Sequence, residues 1–389
     1  MGFEVFSQVA TSASVSQSIY IVAGEVSGDT HGACLMSALQ EQLPEVVFHG
    51  AGGPEMQAVS EHVTNWVEDA AVMGIVEVLK HYKWFKQRFD EMLRELVALK
   101  PDVLVLIDYP GFNLRFATAV REQLPDTKIV YYISPQVWAW NKGRIPKMAA
   151  TLDLMLCIFP FEQEIFQSAG LKTVFTGHPL VDELEEKKID VPREDGLVGL
   201  FPGSREREVA RLFPLMVETA RRMHVHHPEW TYEAAAASEK LAASMREIVQ
   251  KSGLADTGVI KIGTGTSHAL MQRATCGVVA SGTATLEAAA LGLPYCLVYK
   301  VAWPTWVMGK LLVKVDFIGL VNILAGEKVV DELIQTEAEP HNLELCLTTL
   351  LKDESARETL RARLLDTASR LGEPGAHDRA AAEIAKLFV

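Results

Sequence analysis

The sequence predicts an α/β protein with two domains, each containing a parallel β-sheet with helices on both faces. Short apolar runs alternate with helical stretches from Ser18 onward, which is typical of parallel sheets. At 389 residues the chain is too long for one ordinary hydrophobic core. A charged, proline-containing stretch at 183–193 separates the halves, and the alternation starts again after it.

Composition narrows the class of protein. The chain has 37 Lys and Arg against 50 Asp and Glu, a net charge of −13, which argues against general nucleic-acid binding. Its five cysteines include no CxxC pair, so reduced thiols and a cytoplasmic location are expected, with no zinc site. We see no run of 18 apolar residues and no signal-peptide pattern in residues 1–17.

Apolar and helical periodicity predicts the elements in chain order. The predicted strands of the first half are 18–23, 46–50, 103–107, 128–133, 154–158 and 173–176, and its helices include 29–43, 113–123 and 161–169. The second half begins with a strand at 196–202 and a helix ending near 223, followed by strands near 258–263 and 277–280 and a helix from about 285. Tail helices are predicted at 342–351, 354–371 and 378–388.

Polar side chains follow two strands of the first half. Ligands of parallel sheets collect at the carboxyl ends of strands, so these side chains are candidates for a site. Glu25, Ser27 and Asp29 follow the first strand, and Asp108 and Asn113 follow a later one. Helix capping by Ser27 or Asp29, and by Asn113, is the simpler explanation for those residues. Capping leaves Glu25 and Asp108 without an explanation.

The loop at 134–140, which follows the strand 128–133, contains two tryptophans. Trp138 and Trp140 suit a buried core, the wall of a ligand site or a surface that faces a membrane.

The segment at 276–300 predicts a strand, a tight polar loop, a helix and a second strand. Ser281, Gly282 and Thr283 form the loop, where hydroxyls and the N–H groups of the helix start favour an anion. Glu287 follows within the helix, where its carboxylate is placed to accept hydrogen bonds from a ribose diol. An ordinary cap by Ser281 or Thr283 is the alternative, although the capping-box position then falls on Leu286 rather than on Glu287.

A second anion-directed group stands at the turn after the strand 196–202. Ser204 and Arg205 begin the following helix, and a guanidinium there suits a diphosphate. A surface ion pair of Arg205 with Glu206 or Glu208 is the alternative.

Two stretches, at 72–86 and 303–314, combine aromatic residues and methionine with lysines on an otherwise acidic chain. Such a combination suits contact with a membrane surface. Packed helices whose lysines extend to solvent are an equally good explanation.

Eight segments occur in an order that resembles the lipid-A-disaccharide synthase family, and the resemblance covers residues 18 to 380. They are AGEVSGD (23–29), MGIVEVL (73–79), IDYPGFN (107–113), YYISPQVWAW (131–140), GHPLVDE (177–183), LFPGSREREV (200–209), SGTATLE (281–287) and VNILAG (321–326). The resemblance implies a glycosyltransferase-B fold, with an acceptor-binding domain at 18–185 joined by a returning tail at 374–389, and a UDP-sugar-binding domain at 186–373.

The activity implied by the resemblance is an inverting transfer of 2,3-diacylglucosamine from its UDP derivative to 2,3-diacylglucosamine 1-phosphate. The products are UDP and the β(1→6)-linked lipid A disaccharide, and no metal or other cofactor is implied. Because both substrates are acylated, a peripheral protein on the cytoplasmic face of the inner membrane is expected. A homodimer formed through the tail is also expected to be feasible.

The same resemblance suggests roles for individual residues. Asp108 matches the catalytic base, acting alone or with Glu25, because Gly111 stands where many members of the family carry an acidic residue. Arg205 and Glu287 match nucleotide contacts of the family, and Glu25, Ser27 and Asn322 match residues that line the cleft. With the residues singled out by strand-end position, the expected UDP-binding residues are Ser204, Arg205, Ser281, Gly282, Thr283 and Glu287, and the expected cleft residues are Ser27, Asp29, Asn113, Trp138 and Asn322.

Two other functions stay open. A UDP-sugar epimerase of the same fold has no use for acyl-chain surfaces, and a non-catalytic nucleotide- or lipid-binding module needs no base at Asp108.

Overall fold

The computed structural model describes residues 17–67, 82–189, 191–254, 257–312 and 315–388. Within these ranges the strands form two sheets in which every neighbouring pair is parallel. The first sheet has the order β3-β2-β1-β4-β5-β6-β7, with β1 Ser18–Ala23, β2 Val47–Gly52, β3 Val63–Asn65, β4 Val103–Ile107, β5 Lys128–Tyr132, β6 Leu154–Cys157 and β7 Thr173–Phe175. The second has the order β10-β9-β8-β11-β12-β13, with β8 Glu194–Phe201, β9 Thr231–Ala236, β10 Ile260–Thr264, β11 Ala274–Ala280, β12 Tyr295–Tyr299 and β13 Glu332–Ile334. The predicted fold class is confirmed.

Helices connect the strands of each sheet. In the first half they are α1 Val26–Gln42, α2 Pro54–Val59, α3 Tyr82–Leu99, α4 Pro110–Gln123, α5 Val137–Trp140, α6 Ile145–Thr151, α7 Pro160–Gln167 and α8 Leu180–Glu186. In the second half they are α9 Glu206–His226, α10 Glu239–Lys251, α11 Ser267–Arg273, α12 Ala284–Ala290, α13 Trp303–Leu312, α14 Leu320–Ala325, α15 Pro340–Lys352, α16 Glu354–Ser369 and α17 Ala376–Ala385. The continuous apolar run of β4 is fully buried, as expected for a strand covered on both faces.

The starts of two helices differ from the sequence prediction. α1 begins at Val26 with Glu25 as its extended N-cap residue, and α4 begins at Pro110 after Tyr109, so the expectation that Ser27 or Asp29 and Asn113 cap these helices is wrong. Proline fits the first helical position because its missing N–H would have no partner there. The earlier starts shorten the strand-end loops and bring Glu25 and Asp108 close to the sheet edge.

The helix α17 returns to the first half of the chain and packs against α1. Gly375 N donates to Asp182 Oδ1 at 2.5 Å, and Arg379 Nε donates to Thr176 O at 2.7 Å. Gly372 and Gly375 both have φ of +93°, which permits the sharp turn between α16 and α17.

Candidate active site

Asp108 lies at the carboxyl end of β4 in a rare backbone conformation. Asp108 and Tyr109 have φ angles of 42° and 47°, both in the left-handed region, which is costly for most side chains but tolerated best by Asp and Asn. Burial and, to a smaller extent, the negative charge of Glu25 together raise the pKa of the Asp108 carboxyl to about 6. A carboxylate with a pKa in this range, at a sheet edge, is a candidate proton acceptor.

Hydrogen bonds from neighbouring elements fix the main chain of Asp108. Asn113 Nδ2 donates to the carbonyl oxygens of Ile107 at 3.0 Å and Asp108 at 2.8 Å, and the Tyr131 hydroxyl also donates to Asp108 O. Asp108 N donates to Tyr132 O at 3.0 Å. Asn113 is fully buried, and its two hydrogen bonds hold the backbone of the loop that carries the Asp108 carboxylate.

The residues that follow β1 take different positions. Glu25 and Ser27 are exposed at the start of α1, whereas Asp29 is 2% exposed. The Asp29 carboxylate accepts hydrogen bonds from the N–H groups of Gly53, Glu55 and Met56 at 2.7–3.0 Å. It therefore holds the N-terminus of α2, and the expectation that Asp29 lines the cleft is wrong.

The loop after β5 is anchored by a buried carboxylate that the sequence did not reveal. Glu162 accepts hydrogen bonds from Ser134 Oγ and, at 2.9 Å, from Trp138 Nε1. Burial raises the pKa of Glu162 to about 7 despite these bonds. Trp138 is thereby held against the first half, and its ring also lines a cavity of about 500 Å³ whose other walls include Trp306 and Phe317 of the second half.

In the second half, Ser204 and Arg205 lie at the turn between β8 and α9. Arg205 is the N-cap residue of α9 and makes no side-chain cap. Its side chain is 83% exposed, and Nη1 lies 3.1 Å from Glu208 Oε1. The predicted alternative of a surface pair with Glu208 is therefore present, but such exposed pairs contribute little free energy, so the guanidinium can exchange this partner for a ligand.

The loop after β11 presents hydroxyl groups at the start of α12. Gly282 has φ of +142°, and Thr283 occupies the N-cap position without a side-chain cap bond. Neither the Ser281 nor the Thr283 hydroxyl bonds to another residue in the ranges the structure describes. The capping alternative for these hydroxyls is therefore not supported, and both are accessible to a ligand.

Glu287 has a neighbour that is distant in sequence. His268 Nε2 of α11 lies 3.2 Å from Glu287 Oε2, and both side chains are about one-fifth exposed. A partly exposed carboxylate oriented by a histidine retains acceptor capacity for a diol. No local motif pointed to His268, because 18 residues separate it from Glu287 in the sequence.

Asn322 does not line a cleft, contrary to the sequence prediction. It is fully buried in α14, and its Nδ2 donates to Val330 O at 3.0 Å and Glu332 Oε1 at 2.9 Å. Its Oδ1 accepts hydrogen bonds from the N–H groups of Val329 and Val330. The Asn322 amide thus joins α14 to the segment before β13, and its donors and acceptor are used within the protein.

Two Rossmann-like domains, one with a half-buried carboxylate and the other with hydroxyls and an arginine at the strand ends, define a protein of the glycosyltransferase-B fold class. Solved structures share this fold. Staphylococcus aureus MnaA in a co-structure with UDP matches with a TM-score of 0.62 and 12% identity over 95% of this chain and 96% of that one. A UDP-GlcNAc 2-epimerase from Neisseria meningitidis bound to UDP-GlcNAc matches with a TM-score of 0.59 and 11% identity over 95% and 99%. At these identities the likeness concerns the fold alone.

Sequence comparison identifies the family. The family model described as lipid-A-disaccharide synthetase matches residues 19–384. Lipid-A-disaccharide synthases of Geobacter sulfurreducens and Trichlorobacter lovleyi are 37% and 39% identical, covering 96% and 93% of this chain and 98% and 95% of theirs. The chain belongs to the lipid-A-disaccharide synthase family. This confirms the expectation of a UDP-sugar-dependent glycosyltransferase of lipid A biosynthesis, and neither alternative function is better supported.

Proposed function

We propose that Asp108 acts as the base in the transfer of diacylglucosamine from its UDP derivative to diacylglucosamine 1-phosphate. The acceptor hydroxyl attacks the anomeric carbon of the donor sugar, its proton passes to Asp108, and the bond from that carbon to the diphosphate breaks to release UDP. The observation that carries this proposal is the pKa of Asp108, raised to about 6 at a rigid strand end. Such a carboxylate is ionised at neutral pH, yet it is a stronger base than an exposed one.

The second half is proposed to hold UDP. Negative charge grows on the diphosphate as the bond breaks, and Arg205, with Ser204 and the hydroxyls of Ser281 and Thr283, stabilises that charge. Gly282 leaves room for the phosphates because a Cβ there would meet no atom within 4 Å. Glu287 accepts hydrogen bonds from the ribose hydroxyls.

The predicted domain limits, 18–185 with 374–389 and 186–373, are retained in this proposal. Support comes from the first sheet ending at Phe175, the second starting at Glu194 and α17 packing on α1. The turn at 372–375 is also where the tail would cross to a second subunit in the proposed homodimer.

We place the membrane contact of this enzyme on α13. Trp303, Val307 and Met308 are 61%, 52% and 62% exposed, and Lys310 Nζ lies 5.1 Å from the centre of the Trp306 ring. In the other candidate stretch, Trp84 and Phe85 contact Trp66 of the core while Lys83 and Lys86 are exposed, and residues 68–81 and 313–314 lie outside the described ranges. Within those ranges no helix is long and apolar enough to cross a bilayer.

Vesicle flotation tests the membrane contact. Replacing Trp303 and Met308 by serine is expected to release the protein from phosphatidylglycerol vesicles, because exposed apolar side chains supply the interfacial contact. The matched control replaces Val225 and Leu345 by serine, because these residues are similarly exposed on other surfaces. Equal vesicle binding by the two double variants would contradict the assignment to α13.

Incubation with both substrates tests the activity. We expect UDP and an acylated disaccharide 1-phosphate to form together, and neither to form when the acceptor is omitted. Conversion of the UDP-sugar without the acceptor would instead indicate an epimerase, and tight UDP binding without turnover would indicate a binding module.

A further inference from the structure

A cavity of about 220 Å³ lies between α4 and α6, close to the Asp108 loop but outside the site described so far. Its mouth includes Pro110 and Gly111, the first two residues of α4, and its floor includes Leu114, Met148 and Leu152. The second half of the chain contributes none of the eleven lining residues. The cavity therefore belongs to the proposed acceptor-binding domain.

Three cations and no carboxylate line this cavity. They are Arg115 of α4, Lys147 of α6 and Arg144, which precedes α6. Within the described ranges neither Arg115 nor Lys147 has a side-chain hydrogen bond or ion pair, and Arg144 lies over the Trp140 ring at 5.0 Å. Unpaired cations that converge on one cavity favour a dianionic ligand.

The local charge contrasts with that of the whole chain. Residues 127–152 contain four lysines and arginines and no Asp or Glu, although the chain carries a net charge of −13. Two carboxylates flank this segment: Asp126 is exposed, and Asp153 is already paired with Arg121. No residue that lines the cavity carries a negative charge to neutralise its three cations.

We infer that the cavity between α4 and α6 binds the phosphate of the acceptor, a phosphomonoester carried on an acylated sugar. This inference rests on the proposed function, which places the reacting hydroxyl of the acceptor at Asp108. The phosphate on C1 and the reacting hydroxyl on C6 are separate substituents of one sugar ring, so the two groups reach different points of the protein. Arg115 follows Pro110 by five residues, or about 7.5 Å along α4, which is comparable to the width of a hexose, and the apolar floor suits the first carbons of an acyl chain.

Charge reversal tests the cavity. In Arg115→Glu/Lys147→Glu, the KM for the acceptor is expected to rise about 10- to 100-fold, as for the loss of charged hydrogen bonds, while the Kd for UDP measured by calorimetry stays unchanged. The matched control is Lys128→Glu/Lys172→Glu, which makes the same charge change at exposed positions of the same domain. Arg115→Lys/Lys147→Arg keeps both charges and is expected to retain most of the affinity.

The assay is run with the substrates in neutral detergent micelles and in phosphatidylglycerol vesicles, in order to distinguish an acceptor site from a site for lipid headgroups. With substrates in neutral detergent micelles, the rise in KM is expected to persist. A KM that changes only with phosphatidylglycerol vesicles would assign the cations to membrane lipid and overturn the inference, as would an unchanged KM. Calorimetry of the acceptor with wild-type protein and with the single variants Arg115→Gln and Lys147→Gln measures the site directly, so its result stands even if no disaccharide forms or the double variant is unstable.

Discussion

The two halves of the molecule share a strand order but carry opposite chemistry at equivalent positions. The order β3-β2-β1-β4-β5-β6 of the first sheet matches β10-β9-β8-β11-β12-β13 of the second. Glu25 and Arg205 are the extended N-cap residues of the helices that follow β1 and β8, which are the first strands of their halves, and neither makes a side-chain cap bond. Asp108 and Ser281 both directly follow the neighbouring strand.

This comparison shows how one scaffold serves two tasks. A parallel sheet brings the residues after its strands to one edge whatever their type. In the function proposed above, carboxylates at that edge of the first half accept a proton, whereas an arginine and hydroxyls in the second half bind an anion. The local environment differs too, since Asp108 is half-buried and the Arg205 side chain is 83% exposed.

The largest effect is expected from Asp108→Asn. Asparagine also tolerates the left-handed conformation at this position, so the fold and the Kd for UDP should stay near their wild-type values. Turnover is expected to fall by about 10²- to 10⁴-fold, as for the loss of a general base. Steady-state rates of UDP release measure this, with the exposed Asp126→Asn as control. Near-normal turnover would remove Asp108 from the mechanism.

In the second half, Arg205→Ala is expected to weaken UDP binding about 10- to 100-fold, because charged hydrogen bonds to the diphosphate contribute roughly 1.5–3 kcal/mol. Uridine binding should change little.

Glu287→Ala, by contrast, is expected to weaken UDP and uridine equally, since its partner is the ribose. Calorimetry with both ligands measures these losses, and Arg207→Ala, an exposed arginine on the same turn, is the control. Equal losses of both ligands in Arg205→Ala would exclude contact with the phosphates.

Asp29→Ala tests whether the Asp29 carboxylate stabilises the fold of the first half rather than taking part in the reaction. Loss of the acceptor for three N–H groups is expected to lower the free energy of unfolding by about 1–3 kcal/mol, with little change in turnover of the folded enzyme. Urea unfolding monitored by circular dichroism measures the effect, and the exposed Asp126→Ala should have almost none. A stable variant with a large loss of turnover would contradict this structural role and support the original expectation that Asp29 lines the cleft.

The smallest effect concerns pH. Only the ionised Asp108 accepts a proton, so kcat/KM is expected to rise with pH through a midpoint near pH 6 and to level off well above it. The charge of Glu25 raises the pKa of Asp108 less than burial does, so Glu25→Gln should lower the midpoint by less than about one pH unit. Arg205→Ala, in the other half, should leave the midpoint unchanged. A midpoint that does not move in Glu25→Gln would show that the two carboxylates do not interact.

Sequence reasoning succeeded where periodicity or strand-end position determines the structure. The apolar runs of β1 and β4 predicted those strands with their observed bounds. The sequence also predicted that Asp108 and Arg205 follow strands, and the structure places them there, while their roles stay proposals. Sequence reasoning did not predict whether a polar side chain faces the cleft or the interior of the protein. Asp29 and Asn322 are residue types that often contact ligands, but both side chains point inward and accept hydrogen bonds from backbone N–H groups. Their orientation depends on neighbouring loops, which the local sequence pattern does not reveal.

Two further features depend on tertiary packing and have no local signal. The Glu162 carboxylate accepts a hydrogen bond from Trp138, 24 positions earlier in the chain. Arg115 and Lys147 line the same cavity only because α4 and α6 lie side by side. Alternation of strands and helices predicts that such helices cover a sheet, but not which residues of two helices share a groove.

The packing of α17 on α1 has a consequence for the order in which the protein folds. α1 leaves the ribosome more than 300 residues before its partner helix, and domains generally fold as they emerge. The second half is therefore able to complete its own sheet while one face of α1 is still uncovered. Nascent chains halted before α17 should expose apolar surface on α1, whereas chains that include α17 should not. In the newly made protein, the half that carries Asp108 is thus the later of the two to mature.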